Sequence, residues 1–189
     1  AKSVNRAFKR SQGTYIARID SDDAWIDNTK LEAQVEFLQT HPEYAAAGGG
    51  MVVVDASGTE IFRYLKPEHD ADIRKTALLT NPIANSTSLC RRSAIGDSGL
   101  GDETLPASED WDFWLRIGTR GKLYNFPLYF SYYTMTGDNH SLENVRANSL
   151  IGMKIVNRYK KNYPHYVRGM GVNIAQYMYG CIPYGARRM

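Results

Sequence analysis

The chain has 189 residues, 43% of them apolar and 23% charged, and a net charge of +3. Those values fit one globular domain, or one domain with an appendage, and argue against a disordered chain or a nucleic-acid-binding body. Two cysteines at no metal or redox spacing, and no apolar run longer than the Ala/Gly-rich residues 45–54, exclude a zinc or disulfide framework and a membrane span.

Taken in order, residues 2–12 place Val4, Ala7 and Phe8 at helical spacing, with Gly13 positioned to follow a helix end. Residues 14–19 form an apolar, β-prone run that delivers Asp20, Asp22 and Asp23 at its carboxyl end. Ligands of open α/β sheets bind just beyond strand ends, and carboxylates this close repel one another unless a cation sits among them. A divalent metal carrying a phosphorylated ligand answers that need; a polar turn that caps the next helix is the simpler alternative. Arg18, the one charge inside the run, is expected to point toward a ligand cleft or a carboxylate. Asn28 or Thr29 would cap a helix with Leu31, Val35 and Leu38 as its apolar stripe, ended at His41-Pro42.

Residues 44–55 read as a buried strand in which Gly48-Gly49-Gly50 implies close approach of another backbone or a ligand. No Gly-Lys-Ser/Thr follows, so this is not a phosphate loop. Ser57-Gly58 turns the chain into a hairpin partner at residues 59–64, a short helix follows at 70–79, and Asn81-Pro82 stops it. A strand at 86–90 runs into Arg91-Arg92, and Gly96, Gly99 and Gly101 mark a flexible loop. Ser108 would cap the next helix, whose first turn holds Glu109, Asp110 and Asp112, with Trp111, Trp114, Leu115 and Gly118 on one face. Residues 122–126 and 128–133 read as two strands around Pro127.

Charge is unevenly spread. Residues 142–189 carry eight Lys/Arg against Glu143 alone, so this basic tail is expected to face something anionic. Within it Leu150, Ile151, Ile155, Val156 and Tyr159 alternate with Lys154, Arg158, Lys160 and Lys161. That pattern fits either a helix lying on a membrane surface or one packed on its own domain. No role is legible for residues 165–189.

Asp20-Ser21-Asp22 alone fits three sites. An EF-hand would need a bidentate Glu where Leu31 stands. An aspartyl-phosphate phosphatase, with Asp20 as nucleophile, would need a Thr where Ala24 stands. The third is a metal–nucleotide site. The wider pattern resembles family 2 glycosyltransferases of the GT-A fold. It consists of Ala1-Lys2-Ser3-Val4-Asn5-Arg6-Ala7, then Gly13 through Asp23, then Asn81-Pro82-Ile83-Ala84-Asn85-Ser86-Thr87 and Arg91-Arg92, and finally Ser108-Glu109-Asp110-Trp111-Asp112-Phe113-Trp114-Leu115-Arg116, across residues 1–141.

The resemblance implies an α/β fold, a GT-A-type mixed sheet flanked by helices, over residues 1–141, with a helical basic extension at 142–189. It implies that the family's opening strands, with the residue that reads the base, precede Ala1. It implies an inverting hexosyltransferase that moves a sugar from a nucleotide-diphosphate donor, a UDP-sugar, to a saccharide or lipid-linked acceptor in surface polysaccharide assembly. Asp20 and Asp22 would hold Mn2+ or Mg2+ and, with Arg18 and Glu109, the nucleotide-sugar; Asp110 would be the general base. The family often completes the metal site with a His where Thr136 stands, which makes His140 the candidate third contact, and Asn85 also stands where a His is frequent. The absence of Gln-x-x-Arg-Trp implies single-sugar transfer. Trp111 and Trp114 are read as core rather than sugar platforms, and Asp112 as helix-start acidity. The expected location is cytoplasmic, peripheral at the inner face of the membrane. A module of this fold that only binds nucleotide-sugars is the non-enzyme alternative.

Overall fold

The computed structural model describes residues 1–135 and 144–182. Among these residues one mixed sheet runs in the order β1 (Tyr15–Ala17), β5 (Leu89–Arg91), β3 (Tyr44–Val54), β6 (Lys122–Thr134), β2 (Ala24–Trp25), with β4 (Glu60–Tyr64) paired to the far part of β3. Only β3 and β6 are parallel; the other pairs are antiparallel. The α/β mixed-sheet expectation therefore holds, with helices α1 (Lys2–Arg10), α2 (Lys30–Thr40), α3 (Asp70–Thr76), α4 (Arg92–Ile95), α5 (Glu109–Gly118), α6 (Val145–Arg158) and α7 (Tyr166–Cys181) around it.

The central strand β3 is buried from Ala45 to Val54. Its glycines make room for side chains, not for a ligand. A Cβ on Gly48 would lie 2.5 Å from Asn125 Oδ1 and 2.6 Å from Ile83, and one on Gly49 would lie 2.4 Å from Phe130. Asn125 is wholly buried and donates to the carbonyls of Pro67 and Pro82 at 2.9 and 3.1 Å.

Two strands were expected around Pro127, yet β6 is continuous. Gly48 pairs with Asn125 and Gly50 with Tyr129, so β6 spends two extra residues there. The resulting bulge takes Pro127 out of the ladder, which is where a sheet tolerates proline. The short strand β2 has no periodicity to announce it; it is held by pairing Ala24 with Tyr132 and Trp25 with Ser131.

Helix α2 also departs from its pattern. Its inward face is Lys30, Gln34 and Leu38, one position off the apolar stripe, and Leu31 is exposed. Gln34 Nε2 donates to the carbonyls of Ala47 and Thr87, and Lys30 Nζ donates to Gln34 Oε1 while lying 4.5 Å over the Trp25 ring. Burial pulls Lys30 down to about 8. The side chain of Asp27, not of Asn28 or Thr29, takes the exposed amide at the helix start. In the same way the glycine-rich loop is pinned rather than free: Asn5 of α1 accepts from the Leu100 and Gly101 amides and donates to the Gly101 carbonyl.

The α6 expectation resolves toward packing. Ile151, Ile155, Val156 and Tyr159 close on Ala77, Leu78 and Leu115, and the Tyr163 hydroxyl donates to the Leu115 carbonyl at 2.7 Å. Asp112 is 2% exposed and accepts from Arg158 at 2.7 Å, so it is the anchor for α6 and not merely helix-start acidity. Removing one partner of such a pair strands a buried charge, a cost moderated here because Arg158 is half in solvent. Arg158→Ala is expected to lower stability by about 1–3 kcal/mol, read as a drop in the urea midpoint at unchanged slope. Among the described residues no helix is long and apolar enough to cross a membrane.

Candidate active site

The acidic loop follows β1 and is held by one short turn of residues, Asn85–Thr87. Asn85 Nδ2 donates to both carboxylate oxygens of Asp20, at 2.9 and 3.0 Å. Ser86 Oγ accepts from the Asp20 amide at 3.0 Å and donates to Asp23 Oδ2, and the Ser86 carbonyl accepts from the Trp25 indole at 2.8 Å. Thr87 in turn is fixed by Gln34 and by the Gly49 amide. The turn thus ties the loop to α2 and the sheet centre.

These contacts separate three carboxylates that look alike in sequence. Asp20 is satisfied by Asn85. Asp23 is half-buried, with one oxygen on Ser86 and Oδ1 buried without a partner; burial pushes it up to about 6 against the Ser86 bond, helped by Asp20 and Asp22. Asp22 is exposed, and among the described residues its carboxylate has no hydrogen-bond partner.

The second cluster begins at a strained residue. Ser108 sits at φ 59° in the left-handed region, where a non-glycine residue costs about 1–2 kcal/mol, and its side chain caps nothing. The helix start is served instead by Asp110, whose Oδ1 accepts from the Trp111 amide at 2.8 Å. Its Oδ2 accepts from Asn81 Nδ2 at 2.8 Å. Burial raises the proton affinity of Asp110, the Trp111 amide bond and the positive charge of Arg18 oppose it, and Glu109 and Asp20 add to it. Arg18, two residues before Asp20, lies over Phe113 of α5, so the fold sets the acidic loop near the start of that helix.

Arg18 is buried, stacks its guanidinium 5.3 Å from the Phe113 ring centroid, and leaves Nη1 without a partner. It was expected to turn toward a ligand cleft or a carboxylate; among the described residues it faces an aromatic ring and makes no ion pair. Glu109 stands half-buried at the start of α5, with Oε1 3.4 Å from the Ala1 backbone nitrogen. Trp114 is wholly buried in the core, in edge contact with Phe113, as expected; Trp111 is only partly buried, packs against the second core cluster and donates its indole N–H to the Ala77 carbonyl. His140 and Thr136 lie outside the described residues.

Local reading missed three residues of this site. Asn81 was legible as a helix stop before Pro82 and as the first residue of the Asn81–Thr87 run, with no role of its own, yet it holds the carboxylate of Asp110. Lys66 donates to the Asn81 carbonyl at 2.7 Å, and the Asp110 charge offsets part of the burial that pulls this lysine down. Ser86 carried no signal beyond its place in the Asn81–Thr87 run.

The donor set suits a hard divalent cation. Among the described residues no three His, Cys, Asp or Glu side chains form a cage. Mg2+-type sites need none, since one or two carboxylates suffice when diphosphate oxygens and water supply the remaining ligands. Asp22, unpartnered and in solvent, fits that role, with the remaining lone pairs of Asp20 beside it.

Comparison with known proteins gives a consistent picture. The family model described as "Glycosyl transferase family 2" matches residues 1–99. The amylovoran biosynthesis glycosyltransferase AmsE of Erwinia amylovora is 28% identical over 64% of this chain and 44% of its own length. The putative glycosyltransferase EpsE of Bacillus subtilis is 33% identical over 64% of this chain and 43% of its own. The chain thus matches less than half the length of either relative. The structure of mannosyltransferase PcManGT from Pyrobaculum calidifontis, in complex with GDP-Man and Mn2+, superimposes on 97% of this chain and 49% of its own, with a TM-score of 0.58 at 12% identity.

Proposed function

Because the chain belongs to glycosyl transferase family 2, we propose that it transfers a sugar, with inversion, from a UDP-sugar to a hydroxyl of a saccharide or lipid-linked acceptor during surface polysaccharide assembly. The observation that carries this reading is the division of labour between the two clusters. One presents a free carboxylate, Asp22, to a cation and diphosphate. The other presents Asp110, a carboxylate of raised proton affinity held by two fixed donors.

In this scheme Asp110 accepts the proton of the acceptor hydroxyl. The acceptor oxygen bonds to the anomeric carbon as the bond from that carbon to the diphosphate oxygen breaks on the opposite face, and the nucleoside diphosphate departs. Burial keeps the base proton-hungry enough to act, and Asn81 and the Trp111 amide fix its direction, so little reorganisation is left to the reacting state. Asp20 and Asp22 are the residues that would hold Mn2+ or Mg2+, and a cation bound there would supply Lewis-acid stabilisation of the leaving diphosphate. Arg18, which lines a cavity with Asp20, and Glu109, which precedes the base, are assigned to the nucleotide-sugar. Family membership leaves the aspartyl-phosphate reading of Asp20 without support.

The resemblance to AmsE supports a polysaccharide setting, and the neighbour bound to GDP-Man makes the base of the donor the point to test. Calorimetry of the full-length protein with UDP and with GDP, in Mn2+ and after chelation, is expected to show UDP binding in metal that chelation removes. Tighter binding of GDP would change the donor. Failure of both nucleotides to bind in metal would overturn the transferase reading.

A further inference from the structure

The α6–α7 hairpin carries two outward strips of unlike chemistry. On α6 the outward positions are Arg146, Leu150, Lys154 and Asn157, because Ile151, Ile155 and Val156 are turned into the body. Helix α7 is the reverse: 16 residues whose single charge is Arg168. Its inward side combines Tyr166 and Met170, packed on the core cluster of α6, with small and polar residues. Gly169 closes on Leu78, and Asn173 meets Gly152 of α6.

Directly opposite that side lie Val167, Gly171, Ile174 and Met178, at helical spacing on one stripe. Val167 is 80% exposed, Ile174 47% and Met178 65%, and nothing lies within 4 Å of where a Cβ on Gly171 would sit. Among the described residues nothing covers the apolar stripe, and contiguous apolar surface of this kind marks an interaction site. Charge selects the occupant. Residues 144–182 contain six Lys/Arg and no Asp or Glu. A second copy docked stripe to stripe would bring these like charges together. Arg158 is engaged by Asp102 and Asp112; an anionic lipid surface attracts the other five, while the apolar stripe enters the boundary between headgroups and acyl chains.

We propose that α7 docks in the plane of an anionic membrane surface, with Val167, Ile174 and Met178 in the headgroup–acyl boundary and Lys154, Lys160, Lys161 and Arg168 against lipid phosphates. The apolar side of α6 is occupied by the protein body, so the contact belongs to α7, with α6 supplying charge. The proposal is independent of the reaction assigned above.

The test is sedimentation of the full-length protein with vesicles of phosphatidylcholine, with and without phosphatidylglycerol. Binding is expected only with phosphatidylglycerol, weakened by salt, and reduced at least tenfold by Ile174→Glu with Met178→Glu. Lys161→Ala is expected to weaken it about fivefold. The substituted side chains are exposed, so circular dichroism should match the unsubstituted protein. Absence of binding to phosphatidylglycerol vesicles, or binding that the double substitution leaves unchanged, would overturn the proposal. So would a dimer in solution that the double substitution dissolves while the unsubstituted protein ignores vesicles; that result would assign the stripe to a second copy.

Discussion

Asp110→Asn is expected to lower turnover by a factor on the order of 10²–10⁴, the usual contribution of a positioned general base, while leaving UDP binding in Mn2+ unchanged. The substitution keeps the shape and one acceptor for the Trp111 amide, its new NH2 meets Asn81, whose unpartnered Oδ1 can turn to accept from it, and it cannot take up the acceptor proton. Asp110 is assigned to the acceptor and not to the donor, and losing a negative charge near the acidic loop gives a diphosphate no reason to bind less tightly. A second reading of the same residue comes from pH. Burial places the proton affinity of Asp110 above the ordinary carboxylate range. The ionised base is then lost as pH falls through that raised value, and the acid limb of kcat/KM should stand higher than a solvent-exposed Asp would set it. Turnover retained by Asp110→Asn would place the base elsewhere.

The complementary result concerns Asp22→Ala, which is expected to weaken metal-dependent UDP binding by more than ~10²-fold, about 2.7 kcal/mol, in calorimetry. The choice of Asp22 over its neighbours rests on what each carboxylate is already doing. Asp20 accepts two bonds from Asn85, and Asp23 is half-buried on Ser86, so loss of either would disturb the loop as well as any ligand. Asp22 has no such duty among the described residues. Its loss should be felt by ligand alone, with the thermal midpoint of the free protein unmoved. Binding that survives the substitution would remove Asp22 from the metal assignment.

What could be read from sequence follows the range of the forces involved. Helix α1, the buried strand β3 and the acidic start of α5 were visible because periodicity and composition are local. Strand β6 was split in two because Pro127 ordinarily ends a strand, and only the partner strand reveals the bulge that accommodates it. The inward face of α2 was misplaced because Lys30 and Gln34 satisfy their polar atoms on distant carbonyls and a ring, which no hydropathy pattern records. The two carboxylate clusters were named from the family resemblance, but their supports were not. Asn81 reaches Asp110 across 29 positions and Asn85 reaches Asp20 across 65, contacts that exist only once the sheet is assembled. Asp112 and Arg158, 46 apart, are hidden for the same reason.

The glycine at position 48 has a reach beyond the strand that contains it. The space it leaves is taken by the amide of Asn125, which donates to the Pro82 carbonyl. Pro82 is bonded to Asn81, and Asn81 aims the carboxylate of Asp110. The orientation of the proposed base is thus surveyed from a fixed point in the middle of the sheet, through one buried amide and one peptide unit. A methyl group at position 48 would trespass on that reference mark, so a substitution at this buried, chemically inert position would reach the carboxylate of Asp110 as well as the packing of a strand.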